Sequence, residues 1–91
     1  MGKIIRNKLK NICIQGLGYV GAATVAAVAR AKNTNGAPLY NIIGLDINNK
    51  TGMQRINSIN KGHFPFQTQD KELLKPIKNA HKEKRLVASY D

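Results

Sequence analysis

"NICIQGLGYVG", residues 11–21, joins a short apolar run to three glycines spaced Gly16-x-Gly18-x-x-Gly21. β-Branched residues precede the glycines, and an alanine-rich run that begins at Tyr19 follows them. Glycine loses more chain entropy on folding than any other residue, so three glycines close together need a structural reason. A buried strand that ends in a tight turn and continues directly into a helix supplies one.

The rest of the chain alternates strands and helices. Apolar periodicity and turn residues predict a strand at 10–15, a helix from Tyr19 to about Ala31, a strand at 42–46, a loop "NNKTG", a helix at 53–60, a helix capped by Asp70 that extends to His81, and a strand at 85–89. Pro76 inside the third helix predicts a kink or a delayed start. This order predicts an α/β fold, a Rossmann-like half-domain β-α-β-α-α-β with parallel sheet order 3-2-1. We expect residues 1–91 to form the amino-terminal part of such a domain, without its second half.

Burial can also be predicted for three of these elements. The strand "IIGLD" is almost entirely apolar, which predicts burial on both faces. Cys13 lies inside the first strand, where we expect a small buried hydrophobe and not a reactive thiol. One stripe of the first helix is expected to face the sheet: Val20, Thr24, Ala27, Val28 and Ala31.

Composition excludes several classes of protein. No apolar run approaches the ~20 residues that a helix needs to span a bilayer, which predicts no membrane partner. The single cysteine excludes an internal disulfide framework and suits a reducing compartment, so we expect a cytoplasmic location. His63 and His81 are far apart and lack metal-ligand spacing, so we expect surface residues and no metal site.

The chain carries a formal net charge of +10. Its basic residues are spread from Lys3 and Arg6 to the segment 71–85, and no nucleic-acid-binding motif accompanies them. Such a distribution favours solvated faces that attract small anions over a nucleic-acid surface. Nucleic acid is therefore the disfavoured partner.

Each glycine of the opening motif has a role if the turn binds a dinucleotide. Gly16 would make the tight turn, Gly18 would let the backbone approach a pyrophosphate, and Gly21 would let the helix pack closely on the sheet. The amides of Tyr19 and Val20 would then be free donors at the positive end of the helix dipole. A glycine turn with no ligand is the alternative.

Asp46 ends the second strand, 25 residues after Gly21, where an acid can accept hydrogen bonds from the adenosine ribose. A carboxylate at this position also repels a 2′-phosphate. Two like charges ~4 Å apart cost ~4 kcal/mol at an effective dielectric constant of 20, which favours NAD over NADP by about a thousandfold. Shielding by Lys50 or Arg55 would reduce this preference. The predicted cofactor is NAD.

At four places the sequence resembles the UDP-glucose/GDP-mannose dehydrogenases: "GLGYVG", "GLDIN", "RINSINKGHFPF" and "RLVASYD". The resemblance extends from about Lys10 to Asp91. Members of this family oxidise the C6 hydroxyl of a nucleotide sugar to a carboxylate with NAD⁺. The resemblance therefore implies the NAD-binding portion of a nucleotide-sugar 6-dehydrogenase that acts on a UDP- or GDP-sugar.

The resemblance also implies roles for individual residues. The cofactor-binding residues that it assigns are Gly16, Gly18, Tyr19, Val20, Gly21, Asp46 and Arg55. The match of Arg55 requires about four additional residues after Asp46, and Lys50 is an alternative for the same role. In this family the catalytic cysteine lies in a later segment, so the resemblance implies no catalytic residue in this chain. We expect residues 1–91 to bind NAD without catalysis, while the nucleotide sugar is a partner of the full-length enzyme.

Two other functions are compatible with the same residues. One is a fragment of another Rossmann NAD dehydrogenase of the 3-hydroxyacid type, against which the stretch "RINSINKGHFPF" argues. The other is a non-catalytic module that binds a nucleotide or a nucleic acid. In a half-sheet the first strand is an unpaired edge, which invites a homodimer through that edge.

Overall fold

The computed structural model describes residues 8–90, which form three strands and three helices. Lys3 and Arg6, predicted to be solvated, lie outside the described residues. The elements are β1 (Lys10–Gln15), α1 (Tyr19–Arg30), β2 (Tyr40–Asp46), α2 (Lys50–Asn60), α3 (Lys71–Lys82) and β3 (Leu86–Tyr90). The longest helices have 12 residues, so no helix between residues 8 and 90 could cross a membrane.

The three strands form one parallel sheet in the order β1-β2-β3, which confirms the predicted fold class and topology. In the register of the sheet, Ile42 of β2 lies between Ile12 of β1 and Leu86 of β3. Parallel neighbours need crossover connections, which α1 provides between β1 and β2 and the α2–α3 pair between β2 and β3. The carboxyl ends of all three strands therefore meet at one edge of the sheet.

All three helices contribute to one apolar core on one face of the sheet. Its buried members are Leu17, Ala22, Val25, Ala26, Ala29, Ile42, Ile56, Ile59, Phe64, Leu73, Ile77, Ala80, Leu86 and Ala88. The other face is less covered: Ile43 and Leu45 are only half-buried, so the prediction that β2 is buried on both faces was wrong. Cys13 is exposed, contrary to prediction, because it lies beside Ile43 on this less covered face, at the edge strand of the sheet.

The buried stripe of α1 also differs from the predicted one. The helix buries Ala22, Val25, Ala26 and Ala29, whereas Val20 is 80% exposed. The rotation of the helix about its axis is set by Gly21, whose Cα lies against the carbonyl of Gly16. That contact turns the face of Gly21 toward the sheet, and hydrophobicity alone could not show it.

α2 begins three residues earlier than predicted, since the residues expected to form a loop make its first turn. The side chain of Asn49 accepts a hydrogen bond of 2.7 Å from the amide of Gly52 and so caps the helix. A Cβ on Gly52 would lie 1.9 Å from the carbonyl oxygen of Ile47, which explains a glycine inside this helix. Asparagine at the cap was the sequence signal for this start.

α3 begins directly after Asp70, whose side chain accepts a hydrogen bond from the Glu72 amide, as predicted. Pro76 lies inside the helix and does not delay its start. Proline has no N–H, so the Glu72 carbonyl loses its usual helical donor. Arg30 of α1 supplies a replacement, because its guanidinium donates a hydrogen bond of 3.1 Å to that carbonyl.

The outer edge of β3 is covered by a side-chain amide from the end of α2. Asn60 donates to the Ala88 carbonyl at 2.9 Å and accepts from the Ala88 amide at 2.8 Å. Ala88 is the central residue of this five-residue strand. Both of its backbone groups that point away from β2 are therefore satisfied within the chain.

Arg85 precedes β3 and was predicted as its first residue, but its main role is to connect three elements. Its side chain is only 6% exposed and forms an ion pair with Glu83 at 2.7 Å. It also donates to the carbonyl of Tyr40 at 2.7 Å and to that of Ala29 at 3.2 Å. The Ala29 bond satisfies one of the free carbonyls at the end of α1.

Arg85→Ala is expected to lower the free energy of unfolding by about 2–3 kcal/mol, because it removes charged hydrogen bonds and leaves two carbonyls without their donor. Thermal or urea denaturation followed by circular dichroism measures this change. Lys82→Ala, an exposed change on the neighbouring helix, is the control and should alter stability by less than about 0.5 kcal/mol. Equal effects of the two substitutions would contradict the assigned role.

Candidate functional site

Two glycines of the turn between β1 and α1 are required by the chain itself. Gly16 has a φ of +90°, a conformation that side chains rarely adopt, and its amide donates to the Leu45 carbonyl at 2.7 Å. A Cβ on Gly21 would lie 1.8 Å from the Gly16 carbonyl oxygen. The tight turn at Gly16 and the close helix packing at Gly21 are therefore confirmed.

Gly18 is different, because nothing in the described chain requires a glycine there. Its φ of −62° and ψ of −177° are open to any residue, and a Cβ would meet no atom within 4 Å. The missing side chain leaves free space next to the backbone at the beginning of α1. A ligand that approaches this backbone closely fits the space that a Cβ would fill.

The first turn of α1 is suited to an anion. Gly18 is the N-cap and has no side chain to accept from the first-turn amides, and no acid lies in that turn. The first intrahelical bond of the turn is from Ala22 to the Gly18 carbonyl, so the amides of Tyr19 and Val20 remain available as donors. An anion here also gains about 0.3–1 kcal/mol from the helix dipole.

Asp46 lies across the same turn, at the end of β2. Its Oδ2 accepts from the Leu17 amide at 2.9 Å, and its Oδ1 accepts from the Ile47 amide at 2.7 Å. The side chain is only 9% exposed. A carboxylate has about four lone-pair sites, so each oxygen can still accept one more hydrogen bond. Two neighbouring hydroxyls, such as those of a ribose, match this pair of acceptors.

Arg55 of α2 is the basic residue that the structure brings to Asp46. Its guanidinium lies 3.8 Å from Asp46 Oδ2, and within residues 8–90 this ion pair is made by Arg55 and not by the alternative, Lys50. The Arg55 Cζ also lies 5.4 Å from the centroid of the Phe66 ring. Such a cation–π contact contributes about 0.5–1 kcal/mol at a partly exposed site.

Phe66 belongs to a cluster of three aromatic rings beside the turn. Its ring centroid is 5.6 Å from that of Tyr19 and 6.0 Å from that of Phe64, and the Tyr19 and Phe64 centroids are 5.4 Å apart. Phe64 is buried in the core. The cluster therefore fixes the segment after α2 to the beginning of α1.

An open cleft of about 310 Å³ lies at the carboxyl ends of β1 and β2. Its lining residues are Gln15, Gly16, Leu45, Asp46 and Ile47. In parallel α/β sheets, ligands bind outside the carboxyl ends of the strands. Gly16 and Asp46 thus lie at the place where this fold binds ligands, and Arg55 reaches that place through its ion pair with Asp46.

The two histidines lie away from this cleft. His63 and His81 are exposed, as predicted. In the part of the chain that the structure describes, no three His, Cys, Asp or Glu side chains are grouped to hold a metal ion.

Sequence reasoning missed the contacts of Leu17 and Phe66 with the predicted site residues. For Phe66, the alternation of aromatic residues and proline in "HFPF" was an available signal.

Residues 10–91 match the family described as UDP-glucose/GDP-mannose dehydrogenase family, NAD binding domain. A UDP-N-acetyl-D-mannosamine dehydrogenase of Methanococcus vannielii is 36% identical over 86 residues, which are 94% of this chain and 17% of that protein. The protein of the same name from Methanocaldococcus jannaschii is 35% identical over 81 residues, 88% of this chain and 16% of that protein.

A solved structure shows the same fold. The NDP-N-acetyl-D-galactosaminuronic acid dehydrogenase of Methanosarcina mazei superposes with a TM-score of 0.71 at 24% identity, over 88% of this chain and 16% of that one. The chain thus spans about a sixth of the length of the relatives that it matches. Its match to the family covers residues 10–91, from the first strand through the third. The chain belongs to the UDP-glucose/GDP-mannose dehydrogenase family and corresponds to its NAD-binding domain.

Proposed function

We propose that this chain binds the adenosine diphosphate part of NAD at the cleft between β1 and β2. The amides of Tyr19 and Val20 hold the pyrophosphate above Gly18, and Asp46 accepts hydrogen bonds from the ribose hydroxyls. The observation that carries the proposal is the position of Asp46, which two backbone amides hold across the glycine turn at the carboxyl end of β2. Gly18 supports it, because its conformation does not require glycine.

We further propose that the chain serves a nucleotide-sugar 6-dehydrogenase, which oxidises the C6 alcohol of a UDP- or GDP-sugar to the uronic acid. NAD⁺ would accept one hydride in each of the two successive oxidations. The names of the relatives favour UDP-N-acetyl-D-mannosamine as the sugar. The contribution of these 91 residues is to bind and orient the cofactor, and we assign no catalytic residue to them.

The proposal is tested by calorimetric titration of the chain with NAD, NADP and a short DNA duplex. Asp46→Ala should weaken NAD binding at least tenfold, because each hydrogen bond that a ribose hydroxyl makes to a charged group contributes about 1.5–3 kcal/mol. Asp70→Ala is the matched control, since it removes an acid that caps α3 outside the cleft. Its NAD affinity should equal that of the wild type.

Asp46 also holds the Leu17 amide, so a thermal melt of each variant must accompany the titration. Saturable NAD binding that is weakened in a folded Asp46→Ala chain supports the proposal. Tight DNA binding without NAD binding would overturn it and favour a nucleic-acid-binding module.

A further inference from the structure

We infer that a basic groove along the exposed face of α3 is a docking site for an acidic segment of another polypeptide. The groove consists of two adjoining open depressions of about 430 and 420 Å³, which share Gly62, His63 and Lys78. Five lysines line it: Lys61, Lys71, Lys75, Lys78 and Lys82. None of these residues lines the cleft between β1 and β2, so the groove is separate from the proposed cofactor site.

The lysines of the groove have no acidic partner within the described chain. Among residues 8–90 all three ion pairs are formed by arginines: Arg30, Arg55 and Arg85. No acid lines either depression. Four of the lysines follow one another at intervals of three or four residues, so they share one face of α3 and repel one another: Lys71, Lys75, Lys78 and Lys82. An anionic partner would remove this repulsion.

An apolar side chain lies among these charges. Leu74 is 37% exposed and lines the larger depression, three residues after Lys71 on the same face of the helix. The buried ring of Phe64 lines the same depression. Positive charges beside an apolar floor are complementary to a partner that carries carboxylates next to an apolar side chain.

The length of the groove fits a short extended peptide. α3 has 12 residues from Lys71 to Lys82, so these two lysines are about 16 Å apart along the helix axis. About five extended residues cover that length. Alternate side chains of an extended chain project to the same side about 6.6 Å apart, and lysines four residues apart in a helix are separated by an axial rise of about 6 Å. Acids at alternate peptide positions can therefore face successive lysines.

Nucleic acids and membranes fit this surface less well. The described residues that line the groove include no arginine for bidentate pairing with phosphates and no exposed aromatic ring on which bases could stack. A helix that binds a membrane inserts its apolar face, but the apolar face of α3 is buried in the core: Leu73, Pro76, Ile77 and Ala80. The surface therefore favours an acidic peptide.

The test measures the binding of a fluorescein-labelled peptide, Glu-Ser-Leu-Ser-Glu-Ser-Glu, to the 91-residue chain by fluorescence anisotropy. Lys75→Gln combined with Lys78→Gln should weaken binding about threefold to tenfold, because two close charge pairs are lost. Lys8→Gln combined with Lys10→Gln is the matched control, since it removes the same charge from two exposed lysines outside the groove. The control should change the affinity by less than about twofold. Equal losses in the two variants would show that net charge alone attracts the peptide, which overturns the inference.

Leu74→Ala tests the apolar part of the groove. This variant should weaken binding of the peptide about threefold or more, because it removes apolar surface that the peptide leucine would cover. A second peptide, with serine in place of the leucine, should bind the wild type and Leu74→Ala equally. A circular dichroism melt of each variant verifies the fold. If Leu74→Ala weakened both peptides equally or weakened neither, the peptide leucine would not contact Leu74, and the inference would be overturned.

A thymidine oligonucleotide and phosphatidylserine vesicles are the competing ligands. Tighter binding of either one than of the peptide, weakened by the Lys75 and Lys78 substitutions, would overturn the acidic peptide as occupant and assign the groove to that ligand. NAD affinity should be the same in this variant and the wild type, because the cleft and the groove share no residue. Failure of the peptide to bind would overturn the inference and leave the proposed function standing.

Discussion

Gly21→Ala is expected to reduce the stability of this domain by about 3 kcal/mol or more, at the upper end of the cost of overpacking. The added Cβ would lie 1.8 Å from the Gly16 carbonyl oxygen, and both partners belong to the backbone. Relief requires α1 to move away from the turn, which also separates its buried alanines from the sheet. A small domain has only about 5 kcal/mol of stability in total, so most of it would be lost.

Gly18→Ala is the control for this prediction, since it adds the same methyl group three residues earlier. No atom lies within 4 Å of that Cβ, so the loss should be limited to about 1 kcal/mol, the cost of alanine in place of glycine at the N-cap of α1, and the melting temperature should fall much less than in Gly21→Ala. Circular dichroism melts of the two variants provide the comparison. If Gly21→Ala melted within about two degrees of the wild type, the contact with Gly16 would not fix the rotation of α1 as described.

The second large effect is expected on cofactor binding. Gly18→Val should leave the fold intact and weaken NAD binding about a hundredfold or more, because its branched side chain fills the space proposed for the pyrophosphate. Two amide hydrogen bonds to a charged group, at about 1.5–3 kcal/mol each, account for a loss of this size. Calorimetric titration with NAD measures the affinity, and a melt confirms the fold.

Adenosine serves as the ligand control for Gly18→Val. Adenosine carries the ribose that Asp46 is proposed to bind but no pyrophosphate. Its weak affinity should therefore be nearly the same for the wild type and Gly18→Val, and NMR titration measures both. Equal losses for adenosine and NAD would show that the valine disturbs the whole cleft. Unchanged NAD affinity would show that the pyrophosphate does not lie above Gly18.

Most of the fold could be predicted from the sequence, because its signals are local. Strand β1 begins and ends as predicted, and α1 starts at Tyr19 as predicted, since a glycine turn separates the two elements sharply. The start of α2 was missed, because Gly52 inside the helix resembles a loop residue when its contact with Ile47 is unknown. The prediction of the buried stripe of α1 was also wrong, because the stripe depends on a contact between Gly21 and Gly16 that the sequence does not show.

The candidate site was predictable only in part. Asp46 and the glycines could be identified because their spacing along the chain is diagnostic of the turn and the strand end. The choice between Lys50 and Arg55 depends on how α2 is oriented relative to β2, so it needed the structure. The contact between Phe66 and Arg55 joins two segments that no periodicity connects. Side-chain contacts between distant segments were the part that the sequence did not reveal.

The amide of Asn60 has a consequence for how many chains could join one sheet. At the centre of β3 it occupies both outward-facing backbone groups of Ala88, so an incoming strand could not pair with that residue. Among residues 8–90, the opposite edge of the sheet is β1. Two copies that met through β1 would form a six-stranded sheet with an Asn60 cap at each outer edge. Asn60 would then hinder further strand addition at each outer edge, which opposes open-ended, fibre-like growth even when β1 is available for pairing.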